Sequence, residues 1–296
     1  MCKKILLCTF LLVLIITFKV YGAKNMIQDC LKCGSGIPDN TDIQRLKVPS
    51  APTKVTDAVK SLRSGKFIFG DVIDDVINCF IKENKKEDTI LYVSSYIYIC
   101  VREKNFSPFI EYMTNLITQE KTIILVNIHV GSSAFSYHWV LGVINLVSKQ
   151  IIILDSEKII RINLYEILHF IMCTYFNIRT FYDNSIPKPI ASEWEFILAK
   201  NAIRQYNCTD CGIYVCIHAY HYITNENFFR LNSNDGRQWL YYYYNMYNEN
   251  KTSILNEGSS SNQNSLSEED INNIIEITKQ EIKKVEYNQV QCINVE

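Results

Sequence analysis

The chain has 296 residues, with 30 basic and 31 acidic side chains and a formal net charge of −1. Almost half of it, 48%, is apolar and 12% is aromatic, which excludes a disordered polar chain and is enough to bury a full core. The near balance of charge argues against a dedicated nucleic-acid binder, which carries a visible basic excess.

In chain order, Lys3 and Lys4 precede an apolar run from Ile5 to Phe18, followed by Val20-Tyr21-Gly22-Ala23. A charged start, an apolar centre and small residues after it predict a secretory signal peptide over 1–23, cleaved after Gly22 or Ala23. The run is shorter than the roughly 20 apolar residues of a spanning helix, so no stable membrane span is expected after cleavage. Residues 24–60 hold Gly34, Gly36, Pro38, Pro49 and Pro52 without a sustained period and read as an extended lead-in. Cys30 and Cys33 form a lone C-x-x-C, with no second pair at metal spacing, and fit a local disulfide or two thiols better than zinc. Of the eleven cysteines, removal of Cys2 and Cys8 with the signal leaves nine, an odd number that keeps at least one thiol without an intramolecular partner.

Phe69, Val72, Ile73, Val76, Ile77 and Phe80 recur at helical spacing and predict an amphipathic helix. A second helix is expected over Leu91 to Val101. Thr122 to Val130 and Tyr137 to Val147 are β-branched runs separated by the turn-rich Gly131-Ser132-Ser133, and Gln150 to Leu154 follows closely enough to form a hairpin. Leu164 to Tyr175 reads as a helix and Trp194 to Ala199 as a short strand. Asp210 is a good cap for a helix running to Ile223, with Ile213, Cys216, Ile217 and Tyr220 on one face. Gly236 to Tyr247 reads as the last helix of a catalytic domain spanning 61–247. A polar linker, 248–266, then leads to a charged helix and tail over 267–296, capped by Ser267-Glu268-Glu269-Asp270 and expected to stand apart. Helices, clustered strands and a closing helix make an α+β arrangement.

Cys211 lies in the first turn of its predicted helix, where free N–H groups and the positive end of the dipole favour a thiolate. Gly212 beside it leaves room for an approaching carbonyl. His138 opens one strand of the hairpin and Asp155 ends the other. If the connecting loop is centred between Val147 and Ser148, Asp155 faces Val140 and His138 is its diagonal neighbour, roughly 7–8 Å away at the backbone and within reach of a carboxylate–imidazole bond. A nucleophile, a base and a group that orients the base are the parts of covalent acyl transfer. The Cys211 N–H and the amide of Gln205 are candidate oxyanion donors. A zinc cluster of Cys208, Cys211, Cys216, His218 and His221 is disfavoured, because Cys216 and His218 are two apart on one helix and point to different sides. Cys216 is expected in the core and His218 and His221 on the helix surface. Cys208 and Cys211 are close enough in sequence to suggest a reversible disulfide.

The string Gln205-Tyr206-Asn207-Cys208-Thr209-Asp210-Cys211-Gly212-Ile213-Tyr214-Val215-Cys216 closely resembles the nucleophile segment of the ubiquitin-like-protein (sentrin- or SUMO-specific) proteases. His138-Trp139-Val140-Leu141-Gly142-Val143-Ile144 is similar to that family's base segment, Leu154-Asp155-Ser156 to its orienting aspartate, and Asn127 to a recurrent asparagine before the His-Trp pair. The resemblance covers roughly Lys66 to Tyr247. It implies a papain-like α+β fold, with a central mixed sheet and the nucleophile at a helix N-terminus. It also implies cleavage after the Gly-Gly terminus of a ubiquitin-like modifier, SUMO- or ubiquitin-type, with no metal or organic cofactor, in a monomer. Trp139 matches one aromatic wall of the family's glycine tunnel, while Ile68 stands where the family has the second wall's Trp. Other readings of the same residues are a catalytically silent modifier-binding protein and an acyltransferase using the same triad. The family is usually nuclear or cytosolic, whereas the amino terminus here predicts secretion. Asn105, Asn207 and Asn250 head N-x-S/T sequons, and a glycan on Asn207 would stand beside the nucleophile.

Overall fold

In the computed structural model the described residues are 57–116, 120–131, 138–159, 161–254, 266–283, 290–293 and 295. The expected signal peptide and nearly all of the lead-in lie outside them. Residues Lys47–Gln205 and Thr209–Glu296 belong to one unit, to which the following description refers; Tyr206–Cys208 group with Met1–Leu46 in another.

Helix α1 (Asp57–Ser61) is followed by α2 (Gly70–Glu83), β1 (Ile90–Val93), α3 (Ser95–Arg102), α4 (Phe106–Leu116), β2 (Ile123–Val130), β3 (His138–Asn145) and β4 (Gln150–Leu154). Then come α5 (Ile162–Tyr182), β5 (Glu195–Ala199), α6 (Cys211–Thr224), α7 (Ser233–Ile254), α8 (Glu268–Ile282) and β6 (Gln291–Ile293). The strands form one sheet in the order β1-β2-β3-β4-β5-β6, antiparallel across β2-β3-β4 and parallel at the flanks. The expected α+β class is what the chain adopts.

Helices cover both faces of this sheet, which is why its strands read as nearly unbroken apolar runs. Alternation still sorts the side chains. Trp139, Leu141 and Val143 join one core with α2, α6 and α7, including Val76, Phe80, Ile213 and Trp239. Val140 and Ile144 join the other with Leu164, Leu168 and Ile171 of α5 and Ile271, Ile274 and Ile275 of α8.

Three expectations change. Leu91 to Val101 begins as a strand: Ile90–Val93 pairs with Ile123–Val126, and the helix starts only after Ser94, whose hydroxyl accepts from the Ile97 N–H. Four buried apolar residues in a row suit a strand covered on both faces as well as a helix, and pairing with β2 decides the matter. Helix α7 runs on to Ile254, into the segment read as a linker. Finally, α8 does not stand apart. Its Ser267/Asp270 capping box forms as expected, but Asn177 of α5 donates to Thr278 and Glu281 of α8, and β6 pairs with Ile197–Ala199 of β5. Among the described residues no helix is long and apolar enough to cross a membrane.

Candidate active site

The hairpin brings the first two site residues together. Asn145 pairs with Gln150 and Leu141 with Leu154, the register that a loop centred between Val147 and Ser148 requires. The Asn145 side-chain oxygen accepts from the N–H groups of Val147 and Ser148 and fixes that turn. His138 opens β3 and Asp155 follows the last residue of β4, and the His138 Nε2–Asp155 Oδ1 distance is 2.7 Å. The same Asp155 oxygen accepts from the Glu157 N–H at 2.8 Å.

Both side chains are buried. Burial disfavours the charged imidazole, but hydrogen bonds with Asp155 and Cys211 and attraction to both outweigh it and bring the His138 pKa up to about 9. Burial likewise works against the Asp155 carboxylate, yet His138, the Glu157 N–H and Arg161 hold its pKa below the ordinary value. At neutral pH the imidazole is therefore cationic and the carboxylate anionic.

Cys211 is the first residue of α6, buried and with a free thiol. Its thiol is among the groups that raise the His138 pKa. Asp210 occupies the cap position but its side chain makes no cap bond, contrary to the local expectation. Its Oδ1 instead accepts from Arg237 Nη2 at 2.7 Å and from the Ser233 hydroxyl at 3.0 Å. Arg237 is itself buried and donates to the carbonyls of Ser61, Arg63, Lys66 and Thr209. One guanidinium thus ties the backbone ahead of Ile68 to the residue ahead of Cys211. No local pattern announces it; an arginine in the polar first turns of a helix reads as a surface group.

Gln205 lies in the loop between β5 and α6. Its Oε1 accepts from Ser156 Oγ at 2.7 Å and its N–H donates to the Ser156 carbonyl, so the side-chain NH₂ has a set direction. Trp139 Nε1 donates to the Ile68 carbonyl at 2.9 Å. A Cβ on Gly212 would stand 3.0 Å from the Ile68 Cβ, so Ile68, Trp139 and Gly212 are contiguous and only glycine fits at 212 without a shift. Ile68 is 1% exposed and Trp139 8% exposed, and the His129 ring packs at 4.7 Å from the Trp139 ring.

His218 does not lie on the helix surface as expected. It is fully buried, its Nε2 accepts from the Ile203 N–H, and burial first and then nearby His221 push its pKa down to about 3, leaving a neutral ring. Cys216 is buried in the core with its thiol pKa pushed well up by burial. Cys208 is disulfide-bonded while Cys211 is free, so the two do not form the disulfide suggested by their spacing. His138, Asp155 and Glu157 bring ligand-type atoms within 4.8 Å of one another, but the His138 Nε2 and Asp155 Oδ1 in that group already bond each other. It is an ion-pair network of the site.

Residues 74–253 match the description "Ulp1 protease family, C-terminal catalytic domain". The chain belongs to this family. It is accordingly a cysteine protease, and the matched stretch contains His138, Asp155, Gln205 and Cys211 but begins after Ile68. Among solved structures, a de-sumoylating protease shares 14% identity over 76% of this chain and 92% of its own, with a TM-score of 0.52, which shows the fold. The C-terminal Ulp1 protease domain in complex with Smt3, the yeast orthologue of SUMO, shares 18% identity over 66% of this chain and 82% of its own, with a TM-score of 0.49. The Chlamydia trachomatis effector protein ChlaDUB1 shares 12% identity over 70% of this chain and 97% of its own, with a TM-score of 0.36. No curated protein matches the chain.

Proposed function

We propose that this Ulp1-family domain cleaves after the Gly-Gly terminus of a ubiquitin-like modifier, SUMO- or ubiquitin-type, using Cys211 as nucleophile, His138 as base and Asp155 as the group that orients it. The observation that carries this reading is the buried imidazole of His138, bonded to Asp155 at 2.7 Å, with the Cys211 thiol among the groups that raise its pKa. A cationic imidazole beside a thiol at a helix N-terminus favours the thiolate. Its sulfur attacks the carbonyl carbon of the terminal glycine, and the oxyanion takes the Cys211 N–H and the Gln205 NH₂. Collapse expels the amine, which leaves with the proton from His138, and a thioester remains. Water, losing its proton to His138, then hydrolyses that thioester and frees the modifier's carboxylate.

Trp139, Ile68 and Gly212 are the proposed contacts to the glycine tail, a reading that rests on the resemblance of Trp139 to the family's tunnel wall and on the bond from its Nε1 to the Ile68 carbonyl; the space beside Gly212 is itself filled by Ile68 and Ile73. Family membership supports a modifier as the partner protein. The charged start and apolar run of the first 23 residues support export, which the amino-terminal sequence of protein from a secreting host tests. The main experiment uses a modifier bearing an electrophile in place of its terminal carboxylate. Wild-type chain should become covalently labelled and Cys211→Ala should not; labelling that persists without Cys211 overturns the assignment.

A further inference from the structure

The base has a second carboxylate for which the proposed reaction has no use. Asp155 bonds Nε2 of His138, and Glu157 brings Oε1 to 3.7 Å from Nδ1. Once Cys211 ionises, three anions surround one imidazolium. Arg161 balances that excess: its Nη2 lies 3.0 Å from Glu157 Oε2 and its Nε 3.5 Å from Asp155 Oδ2. The same Glu157 whose side chain faces Nδ1 donates its backbone N–H to Asp155, so one short turn sets both carboxylates.

The position of Arg161 is informative in itself. It is the cap residue of the 21-residue α5 and makes no side-chain cap bond. A cation there opposes the positive end of the helix dipole. Two carboxylates offset that cost, and both belong to the shell of His138. Side-chain exposures of 24% for Arg161 and 26% for Glu157 leave the charges only partly screened. Among the described residues, Cys211 from α6 and His129 from β2 are the other titratable groups beside His138, the latter held below its ordinary pKa by burial, by Arg102 and by His138.

The geometry points to Glu157 and Arg161 as positioning residues that set, by opposite charge, the pH range over which Cys211 and His138 hold the thiolate–imidazolium form. This rests on the proposed roles of those two residues. Negative charge near the pair raises both of its ionisations, thiol and imidazolium, and positive charge lowers both. Removing Glu157 therefore slides the reactive window to lower pH, and removing Arg161 slides it to higher pH.

The test is the rate of iodoacetamide alkylation of full-length protein as a function of pH, read by mass spectrometry on the peptide containing Cys211, which needs no modifier. Glu157→Gln should move both limbs down by roughly half to one pH unit, and Arg161→Met should move both up by a similar amount. Arg161→Lys keeps the charge and should stay near wild type. Limbs that stay put in Glu157→Gln, or that move the same way in Glu157→Gln and Arg161→Met, overturn the inference. If Arg161→Met does not fold, Glu157→Gln and Arg161→Lys still decide it. Failure of the underlying assignment looks different: the Cys211 peptide would then show no enhanced alkylation over the other thiols in any variant.

Discussion

The two halves of the site are built by different rules. On the hairpin, a side-chain oxygen from Asn145 fixes the turn, the turn fixes the register, and the register delivers His138 to Asp155. Everything needed lies within one short stretch of chain. At the start of α6 the corresponding local rule fails. Asp210 is an excellent cap by residue type, yet its carboxylate turns to Arg237, which reaches it from 27 positions later. The cap bond is a neutral-to-charged contact open to any aspartate, whereas a buried guanidinium 2.7 Å away is a charge partner that a buried carboxylate cannot forgo. Local patterning is dependable where it concerns alternation and register, and weak where a buried charge is free to choose between partners.

That contrast can be broken from either side. The largest expected effects are on turnover. Cys211→Ala should lower modifier cleavage by about 10⁴-fold or more with unchanged thermal unfolding, and Asp155→Asn should lower it by about 10²–10⁴-fold. A hairpin variant that kept full turnover would end the claim that the register serves the chemistry. Next comes Arg237→Ala, which leaves Asp210 buried and uncompensated and should destabilise the fold by about 3–5 kcal/mol in denaturant titration. Adding Asp210→Asn should recover part of that loss; no recovery would mean that the backbone carbonyls, and not the ion pair, need the guanidinium.

Gln205→Ala should lower kcat by about 100-fold with the fold intact, as expected for loss of one oxyanion donor. Ser156→Ala, which only frees the direction of that amide, should fall between Gln205→Ala and wild type. The pH dependence of stability tests the hairpin pair. The folded pKa of His138 is about 9 against 6.5 for the ordinary group, so its contribution is complete below pH 6.5 and disappears as pH rises towards 9. Unfolding free energy measured across that window should decline in wild type and flatten in His138→Gln. Smallest is Ser267→Ala, which removes a local cap of the conventional kind and should cost about 1 kcal/mol.

Much of the candidate site is legible in the sequence. The alternation through Tyr137–Val147 and Gln150–Leu154 placed His138 and Asp155 together, and the apolar spacing after Asp210 put Cys211 at a helix start. His218 was misplaced because periodicity assigns one buried face, whereas α6 is buried on nearly all sides and the Ile203 N–H supplied the ring with a partner. Glu157 and Arg161 stood four residues apart in plain view. Only the fold of the turn after β4 shows that their charges meet around His138.

The sequence alone determined the α+β class, the pairing register of the central hairpin and the residues proposed as nucleophile, base and orienting acid. These follow from side-chain periodicity and from chemistry that few residue types can perform. The tertiary structure decided what periodicity does not encode: that α8 and β6 complete the core and the sheet, that Arg237 takes the cap residue's carboxylate, and that the imidazole has charges on both sides. Each is a contact between distant segments, and its energy depends on burial and on which partner arrives, quantities that exist only once the chain has folded.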